Sequence, residues 1–192
     1  MKRIVAVLLS VGLALGFSGC ANDPLAEQFR SGTNKNYISG DGSVTEFQGE
    51  RTRGTDWVAE TFDGQLLDSK NLLGRVVVLN FWYAGCAPCR AETPDLAQIA
   101  TDFEAKGVQV VGVNVRDTAE TALAFARNLK LNYPSVMDIE SGAVVQAYTG
   151  VVSPSAVPTT LVMNAKGEIT ARVLGRFEAS TLRSLIETAL EG

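Results

Sequence analysis

One segment limits the fold of this chain more than any other: the apolar run Val76–Trp82. It is nearly continuous and rich in β-branched residues, whereas a strand with one face in water alternates apolar and polar residues. Such a run is typical of a strand that is buried on both faces, as the strands of a parallel sheet are. It therefore predicts a central strand of an α/β sheet.

Helices and strands alternate around this run. An amphipathic helix is predicted from about Ala87 to Lys106, where Gly107 ends it, and a second buried strand over Val108–Val115. Asp117 and Glu120 resemble a capping pair for the next helix. The other predicted elements are a hairpin that turns at 63–64, a short strand over 136–139, a short helix over 141–148, strands over 159–163 and 168–174, and a helix over 179–190. This order predicts an α/β fold with a mixed central β-sheet flanked by helices, an N-terminal β-hairpin extension and a short helical insertion.

The start of the chain has the organisation of an export signal. Two basic residues at positions 2 and 3 precede an apolar run over 4–17, which is shorter than the about 20 residues of a transmembrane helix. Phe17-Ser18-Gly19-Cys20 resembles the lipobox of bacterial lipoproteins, although Phe17 departs from the usual aliphatic residue. We expect a signal peptide over 1–19 and lipidation of Cys20, with an uncleaved N-terminal anchor as the alternative.

A polar linker and one domain follow the signal. Residues 21–50 are rich in Asn, Gly, Ser, Asp and Thr, which predicts a mostly flexible linker, although a short strand around Val44–Phe47 is compatible with the sequence. The predicted organisation is a lipid-anchored linker over 20–50 and a globular domain over 51–192. Both the lipoprotein and the anchor interpretation place this domain outside the cytoplasm, beside a membrane.

The complete absence of histidine excludes several kinds of active site. Ser-His-Asp hydrolases, Cys-His proteases and His-ligated zinc or haem sites all need an imidazole. The formal charge of −4 argues against a nucleic-acid partner, because nucleic-acid-binding domains are usually basic. Acid–base chemistry near neutral pH therefore falls to a carboxylate, cysteine, lysine or tyrosine with a shifted pKa.

Two of the three cysteines form the motif Cys86-Ala87-Pro88-Cys89, where the buried strand gives way to a helix. The first turn of a helix has unpaired N–H groups and the positive end of the helix dipole, and both stabilise a thiolate. Half of a zinc site would need carboxylate ligands, a static disulfide closing so small a loop adds little stability, and two core cysteines need no proline between them. Redox chemistry is the favoured interpretation of the motif.

The segment Asn80–Pro94 resembles the active-site stretch of thioredoxin-fold proteins, and more narrowly that of the membrane-anchored TlpA/ResA-like thiol-disulfide oxidoreductases. The likeness covers about residues 55–191 and includes a second motif, Val157-Pro158-Thr159-Thr160. It implies a thioredoxin-like fold in which Pro158 is cis and packs beside the disulfide, while the backbone of Val157 hydrogen-bonds to the partner. It also implies that Cys86 is the exposed nucleophile and Cys89 the buried resolving thiol.

Three neighbours of the cysteines are candidate site residues. Glu92 matches a glutamate that the ResA-like family links to the pKa of its cysteines, and we favour a proton-handling role over simple stabilisation by the helix N-terminus. Asn80 stands where many thioredoxins carry a buried aspartate, and it cannot titrate. Trp82 is expected to flank the site and contact substrate, with core packing as the alternative.

The expected function is that of an extracytoplasmic thiol-disulfide oxidoreductase. The resemblance implies that a membrane donor of the CcdA type supplies electrons and that apocytochrome c thiols are reduced before haem attachment. Oxidative disulfide formation in exported proteins is the alternative direction. A thiol peroxidase is disfavoured because no Pro and Thr or Ser precede Cys86 in the required pattern, and a pure binding module is disfavoured by the intact cysteine pair. The sequence implies no metal and no organic cofactor, and we expect a monomer.

Overall fold

Within residues 42–47, 52–153 and 156–192, which the computed structural model describes, the chain forms eight strands, a 3₁₀ turn over Ser69–Leu72 and four α-helices. The strands are β1 (Ser43–Glu46), β2 (Val58–Glu60), β3 (Leu66–Asp68), β4 (Val76–Trp82), β5 (Val108–Asn114), β6 (Ser135–Met137), β7 (Thr159–Met163) and β8 (Ile169–Leu174). The helices are α1 (Ala87–Glu104), α2 (Ala119–Leu129), α3 (Ala143–Ala147) and α4 (Ala179–Glu191). The predicted order of elements from the hairpin onward is confirmed.

Six strands form one mixed sheet in the order β1-β8-β7-β4-β5-β6. β4, β5 and β6 are parallel, whereas β7 is antiparallel to β4, β8 to β7 and β1 to β8. β4, β5 and β8 therefore all end at the same edge of the sheet, which we call the carboxyl edge. β2 and β3 pair separately as the predicted hairpin.

The central strand β4 separates two apolar layers because its successive side chains point to opposite faces. Val77, Leu79 and Phe81 join the layer that includes the β2–β3 hairpin, α2 and α3. Val76 and Val78 join the layer beneath α1 and α4. All seven side chains of β4 are buried, as its composition predicts. Helices on both faces of a mixed sheet confirm the predicted fold class.

Two local features refine the sequence predictions. Thr118 rather than Asp117 caps α2, and its hydroxyl accepts the N–H of Thr121 at 3.4 Å. Asp117 cannot act as the cap because its carboxylate is turned toward the loop after β4. In addition, β1 lies within the segment predicted as linker, at the short strand that the sequence allows around Val44–Phe47. It pairs with β8, so the sheet begins before residue 51.

The predicted signal peptide, the lipobox and Cys20 lie outside the described residues, as does the predicted linker up to residue 41. Within the part of the chain that the structure describes, no helix combines the length and apolarity needed to cross a bilayer.

Candidate active site

Cys86 and Cys89 form a disulfide at the carboxyl edge, where β4 passes into α1. Cys86 is the N-cap residue of α1, and its Sγ accepts the N–H of Cys89 at 3.2 Å. Pro88 is accommodated in the first turn because its missing N–H has no helical partner there. The amide and the helix dipole both favour negative charge on the Cys86 sulfur, as expected for a nucleophilic thiolate.

Both cysteines are buried in the disulfide form, with 0% of Cys86 and 1% of Cys89 exposed. The expectation that Cys86 is exposed is therefore wrong for this state. Its sulfur points inward, toward the Cys89 sulfur and the Cys89 N–H. The neighbouring residues Gly85 and Ala87 are the ones exposed to solvent. In this state Cys86 therefore has no exposed surface for a partner thiol to contact.

The Val157–Pro158 peptide bond is cis, as the resemblance implies. It immediately precedes β7, which pairs with the active-site strand β4. The Pro158 carbonyl accepts the N–H of Gly175 at 2.8 Å, so the loop after β8 is joined to the cis-proline loop. The side chain of Val157 is buried, which leaves only its backbone for the partner contact expected of it.

Glu92 is completely buried on α1, one helical turn after Cys89. The side chain of Asn80 donates to its Oε1 at 2.7 Å, and the backbone N–H of Phe177 donates to its Oε2 at 3.4 Å. Burial raises the pKa of Glu92 to about 8, and the hydrogen bonds from Asn80 and Phe177 only partly offset that shift. A carboxyl group with this pKa exchanges its proton near neutral pH, which general acid–base chemistry requires.

Asn80 has a role that the sequence interpretation missed. It cannot titrate, but its amide group donates both to Glu92 and, at 3.0 Å, to the hydroxyl of Thr160. The pairing of β4 with β7 places Asn80 directly opposite Thr160. The sequence contains an indication of this role, because a polar residue such as Asn80 in a strand buried on both faces must have a hydrogen-bond partner.

Trp82 belongs to the core rather than to the substrate surface. Only 2% of it is exposed, its indole N–H donates to the Ser135 hydroxyl at 2.9 Å, and its ring lies 4.4 Å from that of Phe125. The prediction of substrate contact is therefore corrected to the core-packing alternative. The position at the end of β4 turns the ring inward against β6 and α2.

The loop after β5 holds the loop that precedes Cys86. Asp117 accepts the N–H of Ala84 at 2.6 Å and the side-chain amide of Asn114 at 2.7 Å. The guanidinium of Arg116 lies 4.3 Å from the centre of the Tyr83 ring. Neither contact follows from the sequence, since both depend on β4 and β5 being neighbours.

No group of three or more potential metal-ligating side chains occurs among the described residues. Five predicted site residues lie at the carboxyl edge, namely Cys86, Cys89, Glu92, Val157 and Pro158. Trp82 does not take part, and Cys20 lies outside the described residues. The arrangement can exchange two electrons through the disulfide, with a buried acid one turn away on the same helix.

Comparisons with known proteins agree with this chemistry. The AhpC/TSA family model matches residues 51–172. The chain is 31% identical over 137 residues to the thiol-disulfide oxidoreductase ResA of Bacillus subtilis, which covers 71% of this chain and 74% of the relative. It is 32% identical over 114 residues to ResA of Halalkalibacterium halodurans, covering 59% and 62% respectively.

Solved structures share the fold. A secreted thiol-disulfide isomerase from Corynebacterium glutamicum has a TM-score of 0.72 and 27% identity, covering 81% of this chain and 97% of that one. A DsbF homologue from Corynebacterium diphtheriae has a TM-score of 0.68 and 29% identity, covering 79% and 98%.

Proposed function

The chain belongs to the AhpC/TSA family and is a thiol-disulfide oxidoreductase, and from this premise we propose that it is a lipid-anchored reductase of exported proteins. Its proposed location is the outer face of the bacterial cell membrane, where lipidated Cys20 and a tether up to residue 41 hold the domain. The basic start, the apolar run and the lipobox-like Phe17–Cys20 support this location. One of the structural relatives is described as secreted.

In the proposed reaction the dithiol form of the protein transfers two electrons. The Cys86 thiolate attacks a partner disulfide, which forms a mixed disulfide and releases one partner thiolate. The Cys89 thiolate then attacks the Cys86 sulfur, which releases the second partner thiolate and regenerates the Cys86–Cys89 disulfide. We propose apocytochrome c as the partner and a membrane donor of the CcdA type as the source of electrons, with the protein acting as a monomer and without a metal or organic cofactor.

The buried carboxyl group of Glu92 is the observation that carries the reductive direction. Glu92 and Cys89 share the buried face of α1 at a spacing that sets Cβ atoms about 5–6 Å apart. When this carboxyl group is ionised, near and above its pKa of about 8, it opposes a negative charge on the Cys89 sulfur, and each acid raises the pKa of the other. Destabilising the thiolate destabilises the reduced protein, which makes the dithiol a stronger reductant.

The reduction potential of the Cys86–Cys89 pair tests this direction. It is measured by equilibration against thiol redox buffers and trapping of free thiols. We expect a value near or below that of thioredoxin, about −270 mV. A value near that of a strong oxidant, about −120 mV, would instead favour disulfide formation in exported proteins.

The variant Glu92→Gln tests the role of the acid. We expect lower pKa values for the Cys86 and Cys89 thiols, and a less reducing potential near and above pH 8, because Gln cannot carry the charge that ionised Glu92 places beside Cys89. Glu104→Gln removes an exposed carboxylate from the same helix and serves as the matched control. Unchanged thiol pKa values in Glu92→Gln would show that Glu92 does not handle protons for the cysteines.

Location and partner are tested separately. Cys20→Ala is expected to abolish lipid attachment, seen by mass spectrometry of the mature N-terminus, and to release the protein from the membrane fraction. Cys89→Ser cannot resolve the mixed disulfide, so it is expected to trap apocytochrome c on Cys86. Failure to trap it, with trapping of other exported proteins, would change the proposed partner but not the proposed chemistry.

A further inference from the structure

Three buried polar side chains meet in the apolar layer beneath α1 and α4. Asn80 on β4 bridges Glu92 on α1 and Thr160 on β7, and at most 3% of any of the three is exposed. The next pair of the same register on this face is Val78 with Val162. Valine has nearly the shape of threonine, so packing alone does not require a hydroxyl group at position 160. The hydroxyl group is explained by its hydrogen bond.

The hydrogen bond to Thr160 fixes how the Asn80 amide is presented to the acid. The amide nitrogen donates to Glu92 Oε1 at 2.7 Å and to the Thr160 hydroxyl at 3.0 Å. An amide nitrogen has two N–H groups, so both of them have an acceptor in this arrangement. If the amide turned over, its carbonyl oxygen would lie against the carboxyl group and would accept a hydrogen bond instead of donating one. With both N–H groups bound, Asn80 is held as a donor to Glu92.

We propose that Thr160 is a positioning residue for thiol–disulfide exchange, and that its hydroxyl group holds the Asn80 amide as a donor to the Glu92 carboxyl group. The part of this inference that concerns exchange rests on the proposed role of Glu92 at the cysteines. It deepens that role, because part of the control of the acid then lies in β7, on the strand that pairs with the active-site strand β4.

The direction of the effect follows from the hydrogen bonds. Burial raises the pKa of Glu92, and the hydrogen bond from Asn80 lowers it, because an N–H that donates to a carboxylate stabilises the charged form. In Thr160→Val one buried N–H of Asn80 loses its acceptor, which is costly. A turned amide avoids this cost at position 160, and its carbonyl oxygen accepts from the protonated acid. Thr160→Val therefore favours the protonated form of Glu92 and raises its pKa further.

The other groups that act on Glu92 are the same in the protein and in the variant. Arg176, after β8, lowers the pKa of Glu92, and Asp95, one turn further along α1, raises it. The pKa of the Tyr133 phenol, before β6, is raised by burial and by Glu92, so this group stays protonated near neutral pH. The cysteines do not titrate while they form the disulfide. In the disulfide form, a change in the pKa of Glu92 thus reports its hydrogen bonds.

The first measurement is a pH titration of the full-length protein in its disulfide form. Carbon-13 NMR follows the side-chain carboxyl carbon of Glu92, which is assigned by its absence from Glu92→Gln. We expect Thr160→Val to raise the pKa of Glu92 by about half a pH unit or more. Thr160→Ser keeps the hydroxyl group and is expected to restore the original pKa.

A buried threonine on the neighbouring strand provides the matched control. The Thr170 hydroxyl on β8 donates to the Val162 carbonyl at 3.1 Å, and Thr170→Val is expected to leave the pKa of Glu92 unchanged. An unchanged pKa in Thr160→Val, or an equal rise in Thr170→Val, would overturn the proposal. An equal rise in Thr160→Ser would also overturn it, because the lost methyl group and not the hydroxyl group would then be the cause.

A double-mutant cycle shows whether Thr160 acts through Asn80. Asn80→Leu removes the amide at similar volume and is itself expected to raise the pKa of Glu92, because a hydrogen bond to the carboxylate is lost. Adding Thr160→Val to Asn80→Leu is expected to cause no further rise, since the hydroxyl group then has no amide to hold. A further rise as large as that in the unaltered background would mean that Thr160 does not act through Asn80, which contradicts the proposal.

The reduced protein connects the same residues to exchange. The rate at which it reduces a soluble dipyridyl disulfide, seen by release of pyridine-2-thione, is measured against pH. We expect the inflection that Glu92→Gln removes to move to higher pH in Thr160→Val and to return in Thr160→Ser. An inflection that stays in place in Thr160→Val would contradict a role of Thr160 in exchange. An inflection that persists in Glu92→Gln would contradict the proposed role of Glu92, and with it the exchange part of this inference, but not the hydrogen-bond effect measured in the disulfide form.

Discussion

At the scale of the residue, Glu92 makes the stability of the fold depend on pH. Its pKa is about 8 in the folded protein, above the ordinary value of 4.5, so folding favours the protonated form. This contribution to the free energy of unfolding is fully present below about pH 4.5. It is lost as the pH rises from 4.5 through 8, at about 1.4 kcal/mol per pH unit between these two values. Between pH 5 and pH 8, we therefore expect the free energy of unfolding of the oxidised protein to fall, and to fall further than that of the oxidised Glu92→Gln variant.

Urea unfolding of both proteins at pH 5, 6.5 and 8 measures this difference. The comparison with Glu92→Gln removes the pH dependence that other carboxylates contribute to both proteins. A constant difference between the two proteins across this range would mean that Glu92 titrates near its ordinary pKa in the fold.

The same residues show how far sequence reasoning reaches at this scale. Cys86, Cys89 and Glu92 lie within one local stretch, and their spacing on a helix was enough to group them. Asn80 and Thr160 are 80 positions apart and meet only through the pairing of β4 with β7. Their hydrogen bond, which links Thr160 through Asn80 to Glu92, cannot be predicted without the sheet order. The position of Trp82 in the sequence does not determine which way its ring turns, so substrate contact is predicted where the structure shows core packing.

At the scale of the element, the close approach of β5 to its neighbours depends on Gly112. A Cβ atom there would lie 2.6 Å from the Ser135 hydroxyl and 2.8 Å from the indole nitrogen of Trp82. These two atoms form the hydrogen bond that joins the end of β4 to β6. We expect Gly112→Ala to lower the free energy of unfolding by about 1–3 kcal/mol, because the added methyl group overpacks this point.

A double-mutant cycle with Ser135→Ala checks the cause. Ser135→Ala alone leaves a buried indole N–H without its partner, at a cost of about 1–3 kcal/mol. The double variant should be less destabilised than the sum, since the hydroxyl that the new methyl group would meet is absent. Additive losses in urea unfolding would instead show that the backbone of β5 moves aside.

Elements with a strong local pattern are predicted with nearly their observed bounds, whereas the sequence only allows, and does not require, an element that depends on its partner. The apolar run of β4 and the amphipathic helix α1 carry their own signals over 7 and 18 residues. β1 has only four residues, most of them exposed, and exists because β8 offers it an open edge. The N-cap of α2 is Thr118 rather than the predicted Asp117, because the Asp117 carboxylate accepts a hydrogen bond from Ala84 in the loop after β4.

At the scale of the whole molecule, β1 sets where the fold begins. It covers the outer edge of β8, with additional backbone hydrogen bonds from Gly42 to Leu174 and from Phe47 to Thr170, each 2.8 Å long. Its Thr45 hydroxyl also accepts a hydrogen bond from Arg172, whose other terminal nitrogen donates to the Val151 carbonyl. Arg172 of β8 thus connects β1, the outermost strand on this side of the sheet, to the segment that precedes the cis-proline loop.

This arrangement predicts that a chain starting at residue 36 is more stable than one starting at residue 51. The backbone hydrogen bonds between β1 and β8 each contribute a net of about 0.5–1.5 kcal/mol, and we expect their loss to lower the free energy of unfolding by about 2 kcal/mol. For a domain of this size that corresponds to about 4–8 °C in Tm. One effect limits this loss of stability. In the chain that starts at residue 51, water can reach the Nε of Arg172, which is buried without a hydrogen-bond partner among the described residues of the longer chain. Calorimetry of the two oxidised proteins measures the difference, and equal Tm values would place the start of the stable domain at residue 51, where the sequence alone put it.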